Sequence, residues 1–330
     1  MTNNLETLIG TFSKLNILVL GDFILDEFVF GEISRIAREA PVLILKYRHT
    51  EMAPGGGANT VSNVERLGAK VIPVGVLGYD KAAEYLLSSW PDQVNKSHIL
   101  RDAAFQTTRK SRFLAGSSHS SQQQVVRLDH EHLYHLEKTH EQQLITSLIE
   151  LIPEVDALIL SDYSLGGISH EIRKTALSLA TTHEKIIIVD SRDHPNNYAG
   201  ATSITPNITE IEAVLSAPIG KDVVALEEVG ARLRMEWNLE ALLITRGKWG
   251  MSLFLEDGIT HIPIYGSDEV ADVTGAGDTV TATYSLALAA GGSFYEAAQL
   301  SNYAAGLVVM KKGTATISSD ELCNAIQTAL

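Results

Sequence analysis

The sequence predicts an α/β fold: a central, mostly parallel β-sheet flanked by helices, with a small β-sheet as a lid. Three observations predict it. From Asp156 onward, short apolar strands alternate with helical segments, the pattern of a parallel sheet covered on both faces. The run 16–20 (NILVL) is apolar throughout, as a strand buried on both sides must be. Two pairs of short strands, within 28–47 and 107–128, break the alternation and suggest a second, smaller sheet. The 330 residues show no internal repeat and no long linker. One domain is therefore expected over 1–330, with a lid built from about 26–50 and 98–128.

Composition narrows the function classes. Forty acidic against 26 basic residues give a formal net charge of -14, which argues against nucleic acid or an anionic membrane as the main partner. Any phosphate site must then be built locally, from backbone amides and a few Lys or Arg. The single cysteine, Cys323, allows no internal disulfide. No apolar run reaches about 18 residues, so no membrane span is expected. The start, MTNNLETLIG, lacks the basic and apolar regions of a signal peptide, so the cytoplasm is the default.

Taken in order, the first strand ends in Gly21-Asp22, and Asp26 follows. Ligands bind beyond the carboxyl ends of strands in open α/β sheets, so both aspartates are placed to meet something. For Asp22 turn chemistry is the simpler reading; for Asp26 it is not. FVFGE and PVLILKY read as short strands, with Arg35 and Arg38 between them. PGGGAN (54–59) puts three glycines before a helical pattern that runs to Leu67. Glycines let backbone approach a ligand closely, and the Asn59 amide can hydrogen-bond a hydroxyl. No G-x-G-x-x-G follows the first strand, which excludes a dinucleotide fingerprint. A second core strand, 71–77, closes in Gly78-Tyr79-Asp80. TTRKSRFL (107–114) and QVVRL (124–128) supply the second strand pair, around a Ser- and Gln-rich turn at 116–123 expected to be mobile. Two ordinary surface hairpins would explain these pieces as well as a lid would.

Strands at 157–160, 186–189, 201–204 and 241–244 follow, with helices at 169–181, 208–215 and 223–235. Three of the connecting loops are polar. Asn207 and Glu210 open a helix, where Asn is a good N-cap; an amide and a carboxylate there also suit a hydrated Mg²⁺. Thr245, Gly247 and Gly250 lie in a turn that suits a phosphate, or that merely leads a hairpin into 251–255. Asn302, on a helix starting near Phe294, and Gly313-Thr314 are placed to border a base pocket.

DVTGAGD (272–278) precedes an apolar helix, 279–290. Bare backbone at a helix start offers free N–H groups and the positive end of the dipole, a site for an anion. Asp278 would repel an anion. It makes sense as a base that takes a proton from a hydroxyl attacking phosphorus. On this stretch alone, a glycine turn with a stabilising N-terminal acid remains an equal reading.

PGGGAN, TPNITE and DVTGAGD, in this order and at domain-scale spacing, resemble the signatures of the ribokinase-like, or PfkB, family of sugar kinases, and the resemblance covers almost the whole chain. It implies an ATP-dependent kinase with Mg²⁺, in which Asp278 is the base. The amides of Gly275, Ala276 and Gly277 would form the anion hole, with Asn207 and Glu210 holding the Mg²⁺ network. Thr245, Gly247 and Gly250 would lie by the nucleotide and Asn302 near its base. Asp26, Asn59 and the loop Gly55, Gly56, Gly57 would bind sugar hydroxyls. Members also use a monovalent cation, K⁺, and Asp272 and Thr274 match that position. The family's β lid often pairs subunits, so a homodimer is expected.

GDFILDEFVFGEISRIAREAPV, SDYSLGGIS, GATSITPNITEIEAV and KKGTATISSDEL are further similar to bacterial heptose 7-phosphate kinases, which make a heptose bisphosphate for lipopolysaccharide precursors. Because the sequence ends at Leu330, the nucleotidyltransferase half of bifunctional members is expected to be absent. Three positions depart from that pattern: Glu27, Leu165 and the string Asp190-Ser191-Arg192-Asp193, where the heptose kinases carry cationic residues. Arg35 and Arg38, with Arg192, are the remaining candidates for holding a phosphate on the acceptor. A kinase for another sugar or a nucleoside is the main competing reading. A dehydrogenase lacks its fingerprint here, and a noncatalytic sugar binder would not need Asp278.

Overall fold

The computed structural model describes residues 2–116, 122–266 and 271–329. In chain order the elements begin α1 (Thr2–Thr11), β1 (Asn16–Gly21), β2 (Phe23–Ile36), β3 (Leu43–Gly56), α2 (Gly57–Arg66), β4 (Lys70–Leu77), α3 (Lys81–Ser89) and β5 (Ile99–Arg101). Then come β6 (Arg109–Gly116), β7 (Gln123–His130), α4 (Lys138–Leu151), β8 (Ala157–Asp162), α5 (His170–Thr182), β9 (Ile186–Ser191), β10 (Ser203–Ile204), α6 (Ile208–Leu215) and α7 (Val223–Glu236). The chain finishes with β11 (Ala241–Thr245), β12 (Met251–Phe254), β13 (Ile259–Ile262), α8 (Ala276–Ala289), α9 (Phe294–Val308) and α10 (Ser319–Thr328).

The main sheet has the order β13-β12-β11-β10-β9-β8-β1-β4-β5. It is parallel from β5 to β11 and ends in the antiparallel pair β12 and β13. Along β1, Ile17 and Val19 face a core shared with α2, α8 and α9, while Leu18 and Leu20 face one shared with α4, α5 and α7. All four are fully buried, so this strand has no solvent face, and each side chain contributes about 2 kcal/mol by burial. The chain builds outward from β1 to β4 and β5, then returns to β8 on the other side. That reversal leaves a crevice beyond the ends of β1 and β8, where ligands of such sheets bind. Among the described residues no helix is long and apolar enough to cross a membrane.

The second sheet has the order β3-β2-β6-β7. The pairs β2–β3 and β6–β7 are antiparallel and β2–β6 is parallel. The short strands read from FVFGE and PVLILKY are in fact 14 residues each, and β2 starts one residue after β1 ends. Pro54 lies in β3 because β3 is an edge strand, where a missing N–H is tolerated. Residues 99–101, which the sequence assigned to the lid, pair with β4 in the main sheet instead. Most of the turn expected at 116–123 lies outside the described residues.

Candidate active site

The turn before α8 is braced from both sides. Asp272 Oδ1 accepts the Thr274 amide at 2.9 Å and Oδ2 accepts the Gly313 amide at 3.1 Å. Gly275 then takes φ 80° as the N-cap, a left-handed conformation that favours glycine. A Cβ there would lie 2.5 Å from Asn59 Nδ2 and 2.8 Å from Thr314 Cγ2, so glycine is also required by space. Among the described residues no acceptor takes the Gly275 or Gly277 amide. The Ala276 amide, expected in the anion hole, turns back onto the Val273 carbonyl at 3.2 Å. Around Gly277 a Cβ would meet nothing within 4 Å. The helix start is thus open where an anion would sit, with two free amides rather than three.

Asp278 lies in the first turn of α8 and is 3% exposed. Its two oxygens are held separately. Asn59 Nδ2 donates to Oδ2 at 2.8 Å, and the Tyr163 hydroxyl donates to Oδ1 at 3.1 Å. Burial pushes its pKa well above the ordinary carboxylate value, the charge of Asp190 adds to that, and the Asn59 and Tyr163 bonds oppose it. A carboxyl so raised can accept a proton near neutral pH, as a general base must. Asn59 is itself fixed: Asn63 donates to its Oδ1 at 3.1 Å, and Thr279 Oγ1 donates to Asn63 Oδ1 at 3.0 Å. The glycine loop and the helix start therefore share one buried hydrogen-bond chain.

Asp26, on β2, accepts from Thr314 Oγ1 at 2.9 Å and from Arg112 Nη1 at 2.5 Å. Gly55 is required beside it, because a Cβ there would come 2.5 Å from Asp26 Oδ2. Gly56, at φ 54°, and Gly57 turn the chain into α2 and carry Asn59 into the site. Gly313 and Thr314, expected at a base pocket, grip Asp272 and Asp26 on the acceptor side instead. Asp22 does more than close a turn. Its buried carboxylate accepts the Tyr163 and Leu165 amides at 3.0 and 3.2 Å, and so holds the loop that presents Tyr163. Burial first and then Asp162 push its pKa up to about 7.

On the opposite side of the α8 start is a cavity of about 160 Å³ lined by Thr245, Gly247, Gly250, Ala276, Gly277 and Asn302, among others. The structure thus brings these separately chosen positions together. Met251, Ile264 and Val280 give the same cavity apolar walls, as a flat ring system needs. The Asn302 amide donates to the Pro263 carbonyl at 2.7 Å. Gly250 has a structural reason to be glycine: at φ 74° a Cβ would lie 2.0 Å from the Ile262 carbonyl oxygen.

Asn207 and Glu210 form a reciprocal cap on α6, with the Asn207 side chain accepting the Glu210 amide at 3.0 Å and Glu210 accepting the Asn207 amide at 2.8 Å. Glu210 is nonetheless pushed up to about 8, by burial and then by Asp190, with Arg192 opposing. Asp190 is pushed up to about 6 by burial and by Asp162. Asp162 thus raises Asp190 and Asp190 raises Glu210, and acids crowded in this way would gain from a divalent cation among them. Among the described residues no three His, Cys, Asp or Glu side chains group as a metal site. The donor set fits a hydrated Mg²⁺ held by few protein ligands. At the expected K⁺ position, both Asp272 oxygens already brace the loop.

The cations read from the sequence are not at the acceptor side of this chain. Arg35 is exposed near the far end of β2, nine residues past Asp26 and so about 30 Å along the strand. Arg38 and Arg192 are exposed as well. Sequence reasoning missed Tyr163, Lys110 and Arg112. The alternation in Arg109-Lys110-Ser111-Arg112 puts Lys110 and Arg112 on one strand face, but only the pairing register shows that Asp26 shares it.

A buried carboxyl with a raised pKa, beside free amides at a helix start, fits a phosphotransferase with an alcohol acceptor. Residues 16–321 match the pfkB family carbohydrate kinase, and the chain belongs to that family. It is 41% identical over 317 residues to "Bifunctional protein HldE" of Chromohalobacter salexigens, covering 95% of this chain and 64% of that protein. The protein of the same name from Geobacter metallireducens is 38% identical over 322 residues, covering 97% of this chain and 64% of its own length. The chain thus spans just under two thirds of these curated relatives. In fold it is similar to Arabidopsis thaliana ribokinase complexed with ribose and ATP, with TM-score 0.74 at 18% identity over 95% of this chain and 99% of that one. Escherichia coli phosphofructokinase-2 in complex with potassium gives TM-score 0.75 at 18% identity and the same coverage.

Proposed function

We propose that this PfkB-family sugar kinase transfers the γ-phosphoryl group of ATP to a hydroxyl of a sugar phosphate, heptose 7-phosphate with its 1-hydroxyl being the best candidate. The carrying observation is Asp278, held by Asn59 and Tyr163 between the acceptor residues and the open start of α8. Asp26 and Asn59 orient the sugar, and Asp278 removes the proton of the attacking hydroxyl. The Gly275 and Gly277 amides and the α8 dipole face the charge on the transferred group. ATP occupies the cavity lined by Thr245, Gly247 and Asn302. Mg²⁺, when bound, neutralises its phosphates, and Asn207, Asp190 and Glu210 would hold it through water.

The similarity to heptose 7-phosphate kinases and the HldE relatives support the acceptor. Leu165, buried where those kinases carry lysine, favours a second reading: a PfkB kinase for another sugar. The test is ADP release against a panel of free sugars, nucleosides and sugar phosphates. Heptose 7-phosphate should give the highest kcat/KM, and a free sugar or nucleoside that outperforms every sugar phosphate overturns the reading. A homodimer through the smaller sheet accompanies it, supported by the exposed apolar Ile36, Val42, Leu43, Tyr47, Val126 and Leu128 there. A monomer by light scattering at micromolar concentration, with ATP and sugar present, would reject that assembly.

A further inference from the structure

We infer that Lys110 and Arg112 form the subsite that holds the phosphate of the acceptor sugar. This rests on the sugar-phosphate reading above and replaces the distant Arg35. Strand β6 pairs in parallel with β2 in the register Asp26 to Lys110 and Phe28 to Arg112. Residues two apart share a strand face, so both cations stand on the face that presents Asp26 to the site. Arg112 reaches Asp26 through one guanidinium nitrogen and lies over the Phe28 ring at 5.3 Å. Lys110 Nζ lies 5.5 Å over the Tyr163 ring, whose hydroxyl is 3.1 Å from Asp278. The ammonium and the base are thus joined through a single side chain, Tyr163. An acceptor can therefore offer its hydroxyl at one end and its phosphate at the other.

The energetics favour a ligand role over a purely structural one. Lys110 is the only lysine or arginine among the described residues that is buried outright, at 6% exposure, and burial of an ammonium is costly unless it is paired. Its carboxylate partner, Glu131, is 3.0 Å away, with its own side chain 37% exposed. Glu131 can return to water at little cost and leave Lys110 to a phosphate. Around the crevice the other buried ionisable side chains include the acids Asp22, Asp26, Asp162 and Asp278, none of which offers an anionic acceptor a cation. An arginine with most of its fork uncommitted, beside a lysine, supplies the directional and the point-charge contacts that a phosphate takes.

The experiment compares heptose 7-phosphate with the same heptose lacking its phosphate, by steady-state ADP release, in the wild type and in four variants. Lys110→Gln should raise KM for the phosphosugar about 10- to 100-fold, as loss of one charge-assisted contact does. It should leave KM for ATP and kcat/KM for the free heptose within about twofold, and Lys110→Arg should restore most of the loss. Glu131→Gln frees the ammonium and should lower KM for the phosphosugar severalfold. Because that site is half exposed, this variant decides the matter even if Lys110→Gln does not fold. An equal effect of Lys110→Gln on both sugars, an unchanged or higher KM in Glu131→Gln, or a selective loss in Arg35→Ala overturns the inference. A wild type with no preference for the phosphorylated sugar overturns the sugar-phosphate reading itself, and this inference with it.

Discussion

Replacing Gly275 with alanine tests the arrangement at its tightest point. The residue sits at φ 80°, where a Cβ costs roughly 1–2 kcal/mol. The new methyl would begin 2.5 Å from Asn59 Nδ2 and 2.8 Å from Thr314 Cγ2. To reach an ordinary contact of about 3.5 Å, the Asn59 amide must retreat by about 1 Å. Its bond to Asp278 is 2.8 Å, so that retreat takes it beyond hydrogen-bonding distance. A lost hydrogen bond to a charged group costs about 1.5–3 kcal/mol, which is about 10- to 150-fold in rate. The methyl also crowds Thr314 Cγ2, whose hydroxyl holds Asp26 at 2.9 Å, so Gly275→Ala should lower kcat/KM at least about 10-fold. The assay is coupled ADP release, with a thermal melt to show that the loss of stability is only a few degrees. Gly277→Ala is the internal control for protein clash, since a Cβ there meets no protein atom within 4 Å and the fold should be unharmed. A Gly275→Ala enzyme within threefold of wild-type kcat/KM would refute the reasoning.

Three further outcomes follow from the same geometry. Asp278→Asn should lower kcat by about 10²–10⁴-fold with ATP binding by calorimetry nearly intact, and near-normal turnover would remove Asp278 from the role of base. Tyr163→Phe deletes a bond that favours the carboxylate, so the Asp278 pKa should rise further and the acid limb of the kcat/KM profile should move to higher pH; an unmoved limb would show that the hydroxyl does not act on the base. The Asp22 pKa is about 7 in the native protein against an ordinary 3.8, so protonation favours the folded state. The stability this group adds, up to about 4 kcal/mol, is present below pH 3.8 and lost as pH rises through about 7. The thermal midpoint should therefore fall between about pH 4 and 7, and Asp22→Asn should flatten part of that fall; an equal slope in the variant would rule Asp22 out.

Much of the fold was legible because the central residues of β1, β8, β9 and β11 are buried on both faces and are apolar. The turn before α8 was legible because its residues sit in one short string, 272–278. The second sheet was read too short, since Asp26, Glu27 and Pro54 look like loop residues until an edge strand and a ligand crevice explain them. Tyr163 and Arg112 were missed for a different reason. Each meets its carboxylate across a long sequence gap, 115 residues to Asp278 and 86 to Asp26. Nearness in sequence misled in the case of Arg35, because an extended strand carries each residue about 3.3 Å further from Asp26.

The two halves of the site are mechanically one. A single residue, Asp22, separates β1 of the main sheet from β2 of the smaller one, and its carboxylate holds the loop that presents Tyr163 to the base. From the other end of the chain, Thr314 grips Asp26 while the adjacent Gly313 amide grips Asp272, which in turn holds Thr274 at the start of the catalytic turn. A sugar that takes over the Asp26 carboxylate therefore competes with Thr314 for it, and Thr314 lies against Gly275. Acceptor binding and the shape of the phosphoryl-facing turn are thus linked through three hydrogen bonds of 2.9, 3.1 and 2.9 Å.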